Sequence, residues 1–152
     1  MQKFQLFLKF WLPVLIWMVL IFSFSSDAHS YEHSSRFFEP FLRWLFPHLA
    51  QSQIEIIHHL CRKCCHLGEY AILALLIFRA LNRSQNLPPW SWPRVLGALL
   101  IVFLYAGTDE FHQVFVPTRT PHFTDVLIDT AGGAVGLLGF WILKERGKTR
   151  NR

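Results

Sequence analysis

The sequence predicts an all-α integral membrane protein, a four-helix transmembrane bundle with a short amphipathic helix at the interface between helices 1 and 2. Three observations predict it. Hydrophobic residues make up 52% of the 152-residue chain, and they come in long blocks rather than alternating. Charged residues are only 16%, against roughly a quarter in an average soluble domain. Four blocks can each be extended to the length of a bilayer span. The whole chain, 1–152, reads as one domain, with helices at about 4–24, 53–81, 94–116 and 125–143 and a basic tail over 144–152.

The first span joins the apolar block 10–24 to residues 4–8, with Lys3 and Lys9 at its start. Pro13 lies inside it, which lipid-embedded helices tolerate. Ser26-Asp27-Ala28 resembles a processing site, but the block is long for a signal peptide and bulky to its end, so a retained span is the reading. The segment 25–51 is polar and aromatic. Within it Phe37, Phe38, Phe41, Leu42, Leu45 and Phe46 recur at helical spacing, while Arg36, Glu39 and Arg43 take the other face. That pattern predicts a helix lying on the membrane surface, with Trp44 at headgroup level.

Ser52-Gln53-Ile54-Glu55 reads as a capping box opening the second span. Asn82, Ser84 and Pro88-Pro89 end it after Leu81. In the third block the uninterrupted apolar run, 95–107, has 13 residues. At about 1.5 Å per residue it falls well short of a hydrocarbon core about 30 Å thick. The helix must therefore run on through Thr108-Asp109-Glu110-Phe111-His112-Gln113 to about Val116, where Pro117 stops it. These polar residues are then expected inside the membrane. The fourth helix is expected to start at Thr124 as N-cap and to end at Leu143, with Gly132 and Gly136 as a small-xxx-small face.

The formal net charge is +5, and the excess lies in Lys144, Arg146, Lys148, Arg150 and Arg152. A basic tail after an apolar helix reads as an anchor beside anionic lipids, not as a nucleic-acid footprint. On alternate sides of four helices, one side carries Lys3, Lys9, Arg79, Arg83, Arg94 and those five, ten in all. The other carries Arg36, Arg43, Arg62, Lys63 and Arg119, five. The richer side should be cytoplasmic, which puts both termini inside.

With that orientation Arg62, Lys63, His66, Glu69 and Tyr70 fall in the outer half of helix 2. Asp109, Glu110, His112 and Gln113 fall in the outer half of helix 3, Arg119 in the outer loop, and Asp125 and Asp129 in the outer half of helix 4. The inner halves, 71–77, 95–104 and 134–143, carry no charge. Helical phase puts Arg62, His66 and Glu69 on one face. It does the same for Tyr105, Asp109, His112 and Gln113, and for Asp125, Asp129, Gly132 and Gly136. A charge facing lipid near mid-membrane costs about 2.5–3.5 kcal/mol, so these groups are expected to face inward and pair, or to be neutral.

Three segments together resemble the VanZ-like family. They are Arg62-Lys63-x-x-His66-x-x-Glu69-Tyr70, then Asp109-Glu110-x-His112-Gln113-x-Phe115-x-Pro117-x-Arg119, then Asp125-x-x-x-Asp129 followed by glycines. Phe24-Ser25-Ser26 fits the same pattern. The resemblance covers about residues 10–143, with Thr118 standing where a Gly is expected. It implies a multi-pass protein of the bacterial inner membrane. The family's name-giving member is associated with reduced susceptibility to teicoplanin, and the resemblance carries over motif residues without a reaction.

Charges that only fix helix order are the plain alternative. Against it, this many intramembrane ionisable groups exceed what four helices need. The leading expectation is an outward-facing pocket that binds an anionic lipid or lipid-linked cell-envelope component. Its binding residues would be Arg62, Lys63, Tyr70, Gln113 and Arg119. The alternative is a membrane-embedded acid/base or metal-dependent enzyme on such a lipid, using His66, Glu69, Asp109, Glu110, His112, Asp125 and Asp129. No cofactor is named by the residues, and no Ser-Gly-His or His-Glu-x-x-His occurs. A proton-coupled transporter fits less well, because the inner half is empty of polar groups.

Cys61, Cys64 and Cys65 are odd in number and local, which is no disulfide framework. With His58, His59 and His66 a soft-metal site is conceivable, and packed small residues are the simpler reading. His29, His33, His48, His58 and His59 read as surface residues. Trp11, Trp17, Trp90, Trp92 and Trp141 read as interfacial anchors or lipid-facing bulk.

Overall fold

A computed structural model describes residues 2–26, 30–82, 90–115 and 122–150, with side chains over 4–25, 36, 38–82, 90–115 and 122–147. Among these, five helices and no strand occur: α1 (Gln2–Ser26), α2 (Ser30–Leu45), α3 (Gln51–Leu81), α4 (Trp92–Gln113) and α5 (Phe123–Arg150). α1, α3, α4 and α5 are each long and apolar enough to cross a membrane. With its polar end included, α4 has 22 residues, roughly 33 Å, so the helix long enough to span includes Asp109 to Gln113.

α3 is the centre of the bundle, packed against α1, α4 and α5. Its Tyr70, Leu73, Ala74 and Ile77 are fully buried. They meet Val14 and Ile21 of α1, Val95, Ala98, Val102 and Ala106 of α4, and Val126 and Leu137 of α5. The α3–α5 crossing depends on missing side chains. A Cβ on Gly132 would stand 2.6 Å from the Leu67 carbonyl oxygen, and one on Gly136 would stand 2.9 Å from Ala71. Gly139, in contrast, faces open space. On α4, Leu96, Leu100 and Leu104 form an exposed i, i+4, i+8 stripe, the face a span presents to lipid.

α1 is tied to the bundle by polar bonds as well. Trp17 Nε1 donates to the Glu69 carbonyl at 2.9 Å, and the Tyr105 hydroxyl donates to the Met18 carbonyl at 2.6 Å. Trp17 is therefore a helix–helix clasp rather than the expected lipid anchor. Trp90 likewise stacks against buried Phe78 at 5.5 Å and near Trp141 at 6.3 Å.

Several helix ends differ from expectation. α3 starts at Gln51, before the expected capping box. Its N-cap is Ala50, whose side chain accepts no bond, while the Ala50 N–H donates to Gln53 Oε1 at 3.0 Å. Gln53 thus performs the back-bonding half of a box, in a register two residues earlier than Ser52. α4 takes Ser91 as N-cap with Pro93 in its first turn, where the missing N–H is not needed. α5 starts at Phe123, so Thr124 is helical rather than the cap, and the basic segment 144–150 continues the helix instead of leaving it. Arg94 and Asn82 hydrogen-bond, joining the start of α4 to the end of α3.

α2 folds back over the start of α3. Leu42 is buried, and the Phe38 ring lies 5.2 Å from that of His58. This cover leaves His58 only 4% exposed, so it is a core residue and not the surface residue the sequence suggests.

Candidate functional site

Where α3 begins, α4 ends and α5 begins, the bundle forms a half-open cavity of about 300 Å³. His59, Arg62, Lys63 and His66 of α3 line one wall. Glu110 and Gln113 of α4, and His122, Asp125, Ile128 and Asp129 at the start of α5, line the other. Helical repeat explains each set: 59, 62, 63 and 66 share a face, as do 110 and 113, and 122, 125 and 129. Local bonds hold the acidic wall in place. The His122 backbone N–H donates to Glu110 Oε2 at 3.0 Å, which ties the α4 terminus to the segment entering α5.

Behind the lining, Asp109 is 2% exposed. Its Oδ2 accepts from the Ser25 hydroxyl at 2.7 Å and from Gln113 Nε2 at 3.4 Å. Gln113 Nε2 also lies 2.8 Å from Ser25 Oγ. One side chain thus reaches from the cavity wall to the α1–α4 contact. On α3, His66 Nδ1 and Glu69 Oε2 stand 3.4 Å apart. The Tyr70 ring is fully buried 6.2 Å from that of Tyr105, and its hydroxyl has no hydrogen-bond partner among the described residues.

Of the residues singled out in the sequence, Arg62, Lys63, His66, Glu110, Gln113, Asp125 and Asp129 line this one cavity. Asp109 supports it from behind. Glu69 and Tyr70 sit deeper along α3 and do not line it. His112 points elsewhere, packing on the Phe22 ring of α1 at 4.4 Å. The expected shared face of Tyr105, Asp109, His112 and Gln113 is turned toward α1, and of the four Gln113 also lines the cavity. Arg119 lies outside the described residues. His59 and His122 line the cavity although the sequence marked the first as surface and the second not at all. His59 falls three residues before Arg62 and His122 three before Asp125, a helical spacing that signals both.

Among the described residues no group of three or more His, Cys, Asp or Glu is placed to hold a metal ion. Cys61, Cys64 and Cys65 are exposed and free.

Four helices long and apolar enough to cross a membrane, with a mixed acidic and basic cavity at one end of the bundle, define the class of small multi-pass membrane proteins. A family model described as VanZ/LLP1 matches residues 10–144, which take in the apolar part of all four spans, and the chain belongs to that family. No curated protein and no solved structure matches the chain.

Proposed function

We propose that this chain resides in the bacterial inner membrane with both termini cytoplasmic, and that its cavity faces outward. There it binds an anionic lipid or lipid-linked cell-envelope component through a phosphate, with a consequence for glycopeptide susceptibility. The observation that carries the reading is the convergence of Arg62 and Lys63 with His59 and His66 on one cavity wall inside a membrane-spanning bundle. Arg offers a planar fork that matches two phosphate oxygens, and Lys adds a compact positive charge. Holding such groups within a span is costly unless a partner or ligand uses them. The ten-to-five division of Lys and Arg supports the outward orientation.

The test is a variant series scored twice, for folded protein in the membrane and for susceptibility to envelope-directed glycopeptides. Arg62→Gln is expected to fold and to lose the phenotype. A full phenotype from folded Arg62→Gln protein overturns the reading.

A second reading, an acid/base enzyme on the same lipid, is favoured by the His66–Glu69 contact. A carboxyl group 3.4 Å from an imidazole is near enough to bias which ring nitrogen holds the proton, as general-base histidines require. Release of a water-soluble headgroup from labelled lipid, lost in His66→Gln and retained in His48→Gln, is the outcome that supports it.

A further inference from the structure

The phosphate reading accounts for one wall of the cavity and leaves the other unexplained. Arg62 and Lys63 come from α3, whereas Glu110, Asp125 and Asp129 come from α4 and α5. Among the described residues, three acidic side chains stand opposite Arg62 and Lys63, a poor match for a purely anionic group, since a phosphate entering the cavity meets repulsion from whichever of the acids are ionised. The acidic wall calls for a cation of its own. A metal ion does not suit it: bare divalent cations demand oxygen ligands gathered at roughly 2.0–2.6 Å, and no such grouping exists among the described residues. An ammonium suits spread carboxylates better, because it reaches them through three N–H donors.

We infer, on the strength of the phosphate reading, that the cavity recognises a phosphate and a primary amine carried by one molecule, with the phosphate on the α3 wall and the ammonium on the α4–α5 wall. The lining also narrows the kind of amine. A quaternary ammonium has no N–H to give and is held by aromatic faces. Among the described residues no Phe, Tyr or Trp lines the cavity. Phosphoethanolamine-type headgroups carry both groups, and so do free phosphoamines. The two sources differ only in the acyl chains.

The experiment uses the full chain in detergent micelles, with bound lipid measured by native mass spectrometry. The panel is phosphatidylethanolamine, phosphatidylglycerol, phosphatidylcholine and diacylglycerol. Phosphatidylethanolamine is expected to bind about tenfold more tightly than phosphatidylglycerol or phosphatidylcholine, the value of one charge-assisted hydrogen bond. Asp125→Asn is expected to flatten that preference while phosphatidylglycerol binding persists. Soluble phosphoethanolamine that displaces the lipid, where glycerol phosphate does not, supports the same chemistry from a free source. Failure of both soluble compounds, with the lipid preference intact, assigns the source to the membrane. Equal binding of phosphatidylglycerol and phosphatidylethanolamine to the wild-type chain overturns the amine inference and leaves the phosphate reading standing. Diacylglycerol binding as well as every phospholipid overturns both. The wild-type panel decides the matter even if a variant fails to fold.

Discussion

The Ser25 hydroxyl donates to Asp109 Oδ2 at 2.7 Å, joining the last turn of α1 to the C-terminal part of α4. Both residues are buried, Ser25 at 1% and Asp109 at 2% exposure. A carboxyl group at that depth needs hydrogen bonds, and α1 supplies one directly behind the cavity.

Ser25→Ala removes that donor and is expected to destabilise the bundle by about 1–3 kcal/mol, the usual cost of an unsatisfied buried polar atom. Thermal unfolding of the purified protein in detergent measures it. Ser23→Ala is the matched control. The Ser23 hydroxyl bonds only to the Val19 carbonyl of its own helix, on the exposed side, and its loss is expected to leave the midpoint unchanged.

The α3–α5 crossing makes a sharper contrast. Gly132→Ala and Gly136→Ala each place a methyl against backbone atoms, at 2.6 Å and 2.9 Å, which cannot rotate away. Each is expected to force the helices apart at a cost of about 1–3 kcal/mol. Gly139→Ala meets nothing within 4 Å and is expected to be neutral. Equal midpoints for all three variants would contradict the packing described.

The cysteines are exposed, and among the described residues no group of three or more His, Cys, Asp or Glu is placed to hold a metal ion. A triple replacement, Cys61→Ser, Cys64→Ser and Cys65→Ser, is expected to fold, to unfold at an unchanged temperature and to bind lipid as the wild type does. Loss of lipid binding in a folded triple variant would restore a role for the Cys/His stretch.

Orientation has its own measurement. A compartment-sensitive reporter fused after Arg152 is expected to be active in the cytoplasm, as the ten-to-five division of Lys and Arg requires. Activity on the opposite side would turn the cavity inward.

Much of this architecture was legible in the chain. The thirteen-residue run 95–107 was too short to span, which forced Asp109 to Gln113 into the membrane, and α4 does run to Gln113. The Gly132–Gly136 spacing signalled a close crossing, and Leu67 and Ala71 occupy it. What was not legible depends on neighbours. His112 and Asp109 share a helix face, and that face meets Phe22 and Ser25 of α1 instead of the cavity. Periodicity places residues on a face without saying which helix that face meets. His58 looked exposed because nothing in its own segment shows that α2 folds over it. Ala50 carries the α3 cap although Ser52 has the better capping chemistry, because Gln53 reaches back to the Ala50 N–H. Trp17 looked like a membrane anchor, and only the tertiary structure reveals the Glu69 carbonyl as its partner.

Phosphate binding on the α3 wall of the cavity turns on Arg62. The dissociation constant of one phosphate-bearing lipid is measured for the wild type, Arg62→Lys and Arg62→Gln in the same nanodiscs. Loss of the bidentate fork in Arg62→Lys is expected to weaken binding by about tenfold, and loss of the charge in Arg62→Gln by more. Equal constants for all three folded proteins would rule out phosphate binding through Arg62.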